Sequence, residues 1–289
     1  MLPRIFWIVV FPTVLMFSSM YGIFALPDVA DTTIPEGEVA IKRGEYLVSA
    51  GGCISCHEDI ETGQLSGGMA LESDFGVFYV PNITPHESTG IGSWSGEDFL
   101  LAMKHGRSPD RSFYFPAFPY RSYAGLTDTD VLDIAAYLRS LTPIESIVPE
   151  HEIPAWLFRW MMAGWNIVAD LQPSPSEIPA EPQLQRGAYL ARSLGHCGEC
   201  HTPRNVIGIP DVSREFAGAE LSDAHVEAID STALTNWTEE DFAFLLFLGM
   251  KPDGEYVGGE MEAVIEHNTS KLTEEDRLAL AAFFKHDPS

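Results

Sequence analysis

All four cysteines of this chain fall in two copies of one five-residue pattern, Cys53-Ile54-Ser55-Cys56-His57 and Cys197-Gly198-Glu199-Cys200-His201. In Cys-x-x-Cys-His the thiols stand one helical turn apart and can add to the two vinyl groups of a haem, while the next imidazole reaches the iron. Each copy therefore reads as a covalent c-type haem site. The expected cofactors are two covalently bound c-type haems, attached through Cys53, Cys56, Cys197 and Cys200, with His57 and His201 on the iron. Two other chemistries use cysteines in this spacing. A dithiol redox motif needs no His after the second Cys and usually sits in a βαβ setting, and one zinc site shared by both pairs leaves the two histidines unexplained.

The motifs are part of a longer repeat. Arg43-Gly44-Glu45-Tyr46-Leu47 precedes the first as Arg186-Gly187-Ala188-Tyr189-Leu190 precedes the second. A Trp-x-x-x-Asp-Phe block follows each, Trp94 lying 37 residues after His57 and Trp237 lying 36 after His201. Each unit ends in an amphipathic helix, Val131 to Leu141 and Arg277 to Lys285, with Thr127 and Thr273 as N-caps and Asp130 and Asp276 three residues on. Such tandem similarity implies two domains of one fold with separate cores, at 37–143 and 183–289, joined by a linker at 144–182.

Residues 1–30 form a separate N-terminal segment. After Arg4 an apolar stretch runs from Ile5 to Leu26, long enough to span a bilayer with Arg4 on the cytoplasmic side. A cleaved signal peptide is the rival reading, but no clean small-x-small site precedes Asp28 and the apolar run exceeds a usual signal core. Either way the remainder is exported, as haem attachment requires, and an uncleaved transmembrane helix on the periplasmic side of a bacterial inner membrane is expected. The 289 residues carry 17 basic against 42 acidic side chains, a formal charge of -25. That surface makes nucleic acid and anionic lipid poor partners and suits either simple solvation or the docking of a basic redox protein.

Within each unit the pattern is helical. A short helix carries Tyr46 or Tyr189 toward the motif, a second runs from Ser95 to His105 or Thr238 to Leu248, and the third closes the unit. Tyr137 and Phe283 fall at matching places in the closing helices, where an aromatic can pack on the first helix. This order resembles class I c-type cytochromes. The first unit, with Pro81-Asn82-Ile83-Thr84-Pro85, Thr89-Gly90-Ile91-Gly92-Ser93-Trp94-Ser95 and Pro116-Ala117-Phe118-Pro119-Tyr120, is similar to the cytochrome subunits of membrane-bound alcohol, gluconate and aldehyde dehydrogenases, although those typically hold one haem more than this chain has motifs for. The resemblance implies an all-α fold of two tandem class I cytochrome c domains, to which the N-terminal transmembrane helix is added.

Between the units, Pro143 to Pro182 is rich in proline, and Ala155 to Leu171 carries Trp156, Leu157, Phe158, Trp160, Met161, Met162 and Trp165 with Arg159 and Asp170 its only charged residues. It is short for a membrane span. It suits a helix buried between the domains, an interfacial helix, or a docking face for a partner subunit.

The iron ligands opposite the histidines separate the two halves. A class I cytochrome supplies a Met there, which raises the reduction potential. Without gaps from the Trp onward the units align at an offset of 143, matching Gly106 to Gly249, Pro109 to Pro252 and Asp110 to Asp253. Met261 then becomes the ligand of the second haem, and Phe118 takes its place in the first unit, where the dehydrogenase cytochromes read Tyr-Pro-Ala-Met-Pro-Tyr. Looser alternatives for the first haem are Met69, Met103, His86 and His105.

The expected function is electron relay from a dehydrogenase subunit to a quinone or terminal oxidase in the respiratory chain, the chain acting as a carrier subunit more than as a catalyst. The alternative is a di-haem oxidase or peroxidase acting at an open-coordinate first haem.

Overall fold

The computed structural model describes residues 26–27, 29, 33–221 and 224–286. In the first unit helix α1 (Glu38–Ala50) leads into the one-turn helix α2 (Cys53–His57), followed by the hairpin β1 (Ala70–Ser73) and β2 (Gly76–Tyr79). Helices α3 (Gly96–His105), α4 (Tyr120–Tyr123) and α5 (Asp128–Ser140) complete it, and α6 (Met161–Ala169) lies in the connecting segment. The second unit repeats the order with α7 (Pro182–Tyr189), a π turn (Leu190–Leu194), α8 (Gly198–His201), β3 (Ala219–Leu221), β4 (Ala224–Val226), α9 (Glu239–Leu248), α10 (Glu260–His267) and α11 (Glu274–Lys285).

The N-caps lie where the sequence places them. Ser95 and Thr238 each form a reciprocal capping box with the Asp three residues on, and Thr127 and Thr273 accept from the backbone N–H of Asp130 and Asp276. Each cap is worth about 1 kcal/mol. The first and last helices of each unit cross through a glycine. A Cβ on Gly44 would stand 1.9 Å from the Asp133 carbonyl oxygen, and one on Gly187 would stand 2.0 Å from that of Ala279. Tyr137 and Phe283 put their Cβ atoms against the same two glycines, so both pack on the first helix as expected. This crossing of first and last helices is the class I cytochrome arrangement.

The π turn has a simple origin. Tyr189 lies 143 residues after Tyr46, but Cys197 lies 144 after Cys53, so the second unit holds one extra residue between its Tyr and its motif. Leu190–Leu194 absorbs it as a single wide turn, the usual way a helix accommodates an insertion without losing its course. The register of the motif is thereby kept: Gly52 and His196, which immediately precede the two motifs, both take a left-handed backbone, with φ of 70° and 40°.

Two expectations are corrected and a third falls outside the described residues. The fold is mostly helical but not all-α, because each unit inserts an antiparallel two-stranded hairpin after its motif. In the first, alternation across Val77, Phe78 and Tyr79 buries Phe78 against Phe113, Phe115 and Met162, which favours a strand over a helix. The expected transmembrane helix over Ile5 to Leu26 lies, except for Leu26, outside the described residues, and among the described residues no helix is long and apolar enough to cross a membrane. Finally, the units do not keep separate cores. Leu47, Val48, Val131 and Ile134 belong to one buried cluster with Leu190, Leu194, Leu280 and Phe284, so apolar burial is continuous across both.

The connecting segment packs mainly on the first unit. Glu152 pairs with Val77 beside the hairpin, Tyr120 donates to Asn166 (2.9 Å), and Arg159 donates to the Phe113 carbonyl (3.1 Å). Trp165 reaches the second unit through a 2.8 Å bond to the Ile207 carbonyl. Helix α6 buries Met162 and Ala163, while Trp156, Phe158 and Trp160 stay exposed. Inside the first unit, Asn82 and Thr84 of the Pro81-Asn82-Ile83-Thr84-Pro85 motif are buried, and both bond the Ile144 backbone, Asn82 donating to its carbonyl at 2.8 Å and Thr84 accepting from its N–H at 3.1 Å. That motif is a lock for the start of the connection.

Candidate functional site

The sequence-predicted attachment residues lie on α2 and at and just before α8, where the units join, near enough that Cys56 acts electrostatically on Cys200. Across that junction Ser55, inside the first motif, donates to Asn268 of the second unit at 2.9 Å. Ser122 of the first unit donates to Glu199, inside the second motif, at 2.7 Å. Each motif is thus held by the opposite unit. Between them the Gly51 carbonyl accepts from the Tyr123 hydroxyl at 3.1 Å and from His196 Nε2 at 3.2 Å, and the two rings stack edge to face 5.4 Å apart.

The chemistry of the donors fits covalent haem. All four cysteines are free. Burial pushes the Cys53 and Cys197 thiols up to about 12, with the neighbouring Cys56 and Cys200 adding to the rise. A reactive dithiol site does the reverse, holding its cysteine low in an electropositive setting. Among the described residues no group of three or more His, Cys, Asp or Glu side chains is placed to hold a metal ion, so the cysteines do not converge as a zinc site. His57 Nδ1 donates to the Pro81 carbonyl (2.8 Å) and His201 Nδ1 to the Glu227 carbonyl (2.7 Å). With the proton fixed on Nδ1, the Nε2 lone pair is left for a metal, the arrangement typical of a ligating imidazole. Burial lowers His57 to about 4 and also lowers His201, which keeps both rings neutral.

Met261 lies in the first turn of α10, partly buried against the shared core, beside Glu260, whose charge acts on both Cys56 and Cys200. Phe118 lies just before α4, its ring 5.5 Å from Tyr114 and 5.7 Å from Tyr123. The alternatives fare unevenly. Met103 is buried in the core, His86 is engaged through Nδ1 with Thr89 (2.9 Å), and His105 is exposed at the end of α3. Met69 is half exposed at the entry to β1, and its carbonyl accepts from Val80, the residue next to the Pro81 that holds His57.

A second constellation was not anticipated. Tyr46 donates to Asp276 of the other unit at 2.6 Å, and Tyr189 likewise donates to Asp130. Each Asp is also paired within its own unit, Asp130 with Arg43 at 2.6 Å and Asp276 with Arg186 through bonds of 2.8 and 2.7 Å. The two clasps are related by the repeat. Burial alone would raise the Asp276 carboxyl, but the bonds from Arg186 and Tyr46 outweigh it and hold the group below its ordinary value. The signal in the sequence was the recurrence of Arg, Tyr and Asp in both units; it could not say that each Tyr serves the opposite Asp.

Crossed helices through glycine, a motif helix with paired thiols and an imidazole oriented through its Nδ1 define a c-type cytochrome. The chain belongs to the cytochrome c family: the model described as cytochrome c matches residues 41–142, and c-type haem is its covalent cofactor. It is 42% identical over 255 residues to a diheme cytochrome c-type protein of Cereibacter sphaeroides, an alignment covering 86% of each chain. It is 35% identical to the gluconate 2-dehydrogenase cytochrome c subunit of Pantoea cypripedii and 32% identical to the cytochrome c subunit of alcohol dehydrogenase (quinone) of Gluconobacter oxydans. Those alignments take in 86% and 87% of this chain but only 59% and 55% of the dehydrogenase subunits, so the chain spans little more than half their length.

Proposed function

We propose that this chain is a di-haem electron-transfer subunit that takes electrons from a dehydrogenase and passes them, in the periplasm at the bacterial inner membrane, to a quinone or terminal oxidase of the respiratory chain. Cys53 and Cys56 hold one haem with His57 as its iron ligand; Cys197 and Cys200 hold the other with His201 and Met261. Bound haem supplies one-electron chemistry at its iron. The residues of the chain do the rest. Pro81 and Glu227 orient the imidazoles, Ser55 and Glu199 tie each motif to the opposite unit, and the apolar core limits reorganisation when charge changes. The observation that carries the reading is the pair of cross-unit bonds at the motifs, Ser55 to Asn268 and Ser122 to Glu199. They hold two attachment sites side by side, as transfer between haems requires. The partner assignment is supported by the names of the dehydrogenase relatives. The intact exported protein should exceed its polypeptide mass by two haems that resist acidified solvent, and its native membranes should yield it in complex with a dehydrogenase. One haem, or extractable haem, would defeat the attachment reading; purification free of any dehydrogenase would defeat the partner.

The second reading, a di-haem oxidase or peroxidase, is favoured by one observation, Phe118 at the position that matches Met261. Turnover of peroxide with a reduced donor separates the two.

A further inference from the structure

The loop that precedes Phe118 and Met261 is the same structure in both units. Arg107 bridges Phe113 as Met250 bridges Tyr256, and each pair lies 143 residues from its counterpart. Tyr114 N–H donates to the Gly106 carbonyl at 2.8 Å, and Val257 N–H donates to that of Gly249 at 2.8 Å. Arg111 to Ser108 (2.7 Å) and Gly254 to Lys251 (2.9 Å) close the same turn, and Arg111 and Gly254 both have positive φ. The backbone therefore confirms the register residue by residue up to Tyr114 and Val257. Four residues further on at the same offset one unit presents Met261 and the other Phe118, and by Thr127 and Thr273 the offset has grown to 146.

From this match we infer that the first haem site binds a small exogenous ligand: Phe118 leaves the iron held by His57 without a thioether partner and open to a neutral diatomic such as carbon monoxide or nitric oxide. The inference rests on the covalent-haem reading above. Phe118 is placed to matter. Its ring packs on Tyr123, whose hydroxyl bonds the Gly51 carbonyl two residues before Cys53, so an aromatic group without a lone pair stands next to the first attachment motif. Among the described residues, the other donors weighed for the first unit are poorly placed to replace it, His105 standing exposed at the end of α3. Met103 aligns with Leu246, a buried core position in the second unit, and is itself packed in the shared core. Met69 is half exposed at the entry to the hairpin, its carbonyl bonded to Val80 beside the Pro81 that holds His57. His86 Nδ1 accepts from the Thr89 backbone N–H at 3.3 Å, which puts the ring proton on Nε2 and leaves no lone pair there for iron, the reverse of His57. The Tyr114 hydroxyl, raised to about 12 by burial, is not a ready phenolate.

The test uses the full-length, haem-loaded chain, with haem counted first by intact mass. Carbon monoxide titrated into the reduced protein should bind one equivalent per two haems. Magnetic circular dichroism of the oxidised protein should show a thioether-to-iron charge-transfer band for one haem of the two. Phe118→Met should abolish carbon monoxide binding and double that band, and Met261→Ala should raise binding to two equivalents. Wild-type protein that takes up no carbon monoxide, or that shows the band at full strength for both haems, overturns the inference without need of either variant. A haem count below two is read separately and defeats the underlying assignment instead.

Discussion

The crossing of α1 with α5 and that of α7 with α11 are built on the same residues: a glycine beneath the partner backbone, an aromatic against that glycine, and an Arg–Asp pair extended by a Tyr from the other unit. The stretches around the motifs do not match so closely. The second unit takes an extra residue as a π turn, replaces Gly52 by His196, and presents Met261 where the first has Phe118. The difference teaches which parts of the repeat answer to packing and which to haem chemistry. Helix crossings are held by close contact in a dense interior, where a single added methyl is felt. On the proposed assignment of Met261 to the second iron, its exchange for Phe118 makes two sites of one fold unequal.

The comparison can be broken first at the motifs. Replacing Cys197 and Cys200 by Ala should halve the haem content. If the core is shared as the buried cluster indicates, it should also lower the thermal unfolding of the entire chain in a single transition; an unchanged transition for the first unit would show two independent cores. At the crossings, Gly44→Ala and Gly187→Ala should each cost about 3 kcal/mol in denaturant unfolding, because the new Cβ would meet a backbone carbonyl oxygen that cannot move aside. A large difference between the two would mean that one crossing is looser than its twin.

The clasps give smaller effects. Asp276→Asn and Asp130→Asn should each lose about 2 kcal/mol, the range for hydrogen bonds to a charged group. Acid should act through Asp276 in a defined sense. Its folded-state value lies below the ordinary aspartate value of about 3.9, so its contribution is present in full above that value and is lost as the pH falls through the folded one. Asp276→Asn should therefore remove part of the acid limb of the stability profile, and an unaltered limb would count against the pairing. Smallest of all, Tyr46→Phe and Tyr189→Phe should each cost about 1 kcal/mol, and a double-mutant cycle between Tyr46 and Asp276 should show coupling across the units.

Much of the site was legible because it is local. The thiols, the imidazole and the capping residues lie within a few positions of one another, so spacing alone places Cys53, Cys56 and His57 on one turn and puts Thr127 before α5. The matching places of Tyr137 and Phe283 likewise marked where the closing helices pack on the first, whereas the glycines beneath those crossings were seen only in the fold. The hairpins were missed because four-residue strands such as Ala70–Ser73 and Gly76–Tyr79 are too short for their alternation to stand out from a loop. The connecting segment was read only as apolar, and whether its tryptophans pack or stay exposed depends on what surrounds them.

By itself the sequence determined that this protein carries two covalent haem motifs on two copies of a helical unit, and that the copies differ at Phe118 and Met261. Only the tertiary structure decided that the motifs lie side by side, that Tyr46 serves Asp276 while Tyr189 serves Asp130, and that one core runs through both units. The physical reason is range. Spacing along a helix is written in neighbouring residues, whereas a hydrogen bond between residues 230 positions apart exists only once burial of Leu194, Leu280 and their neighbours has brought the two units together.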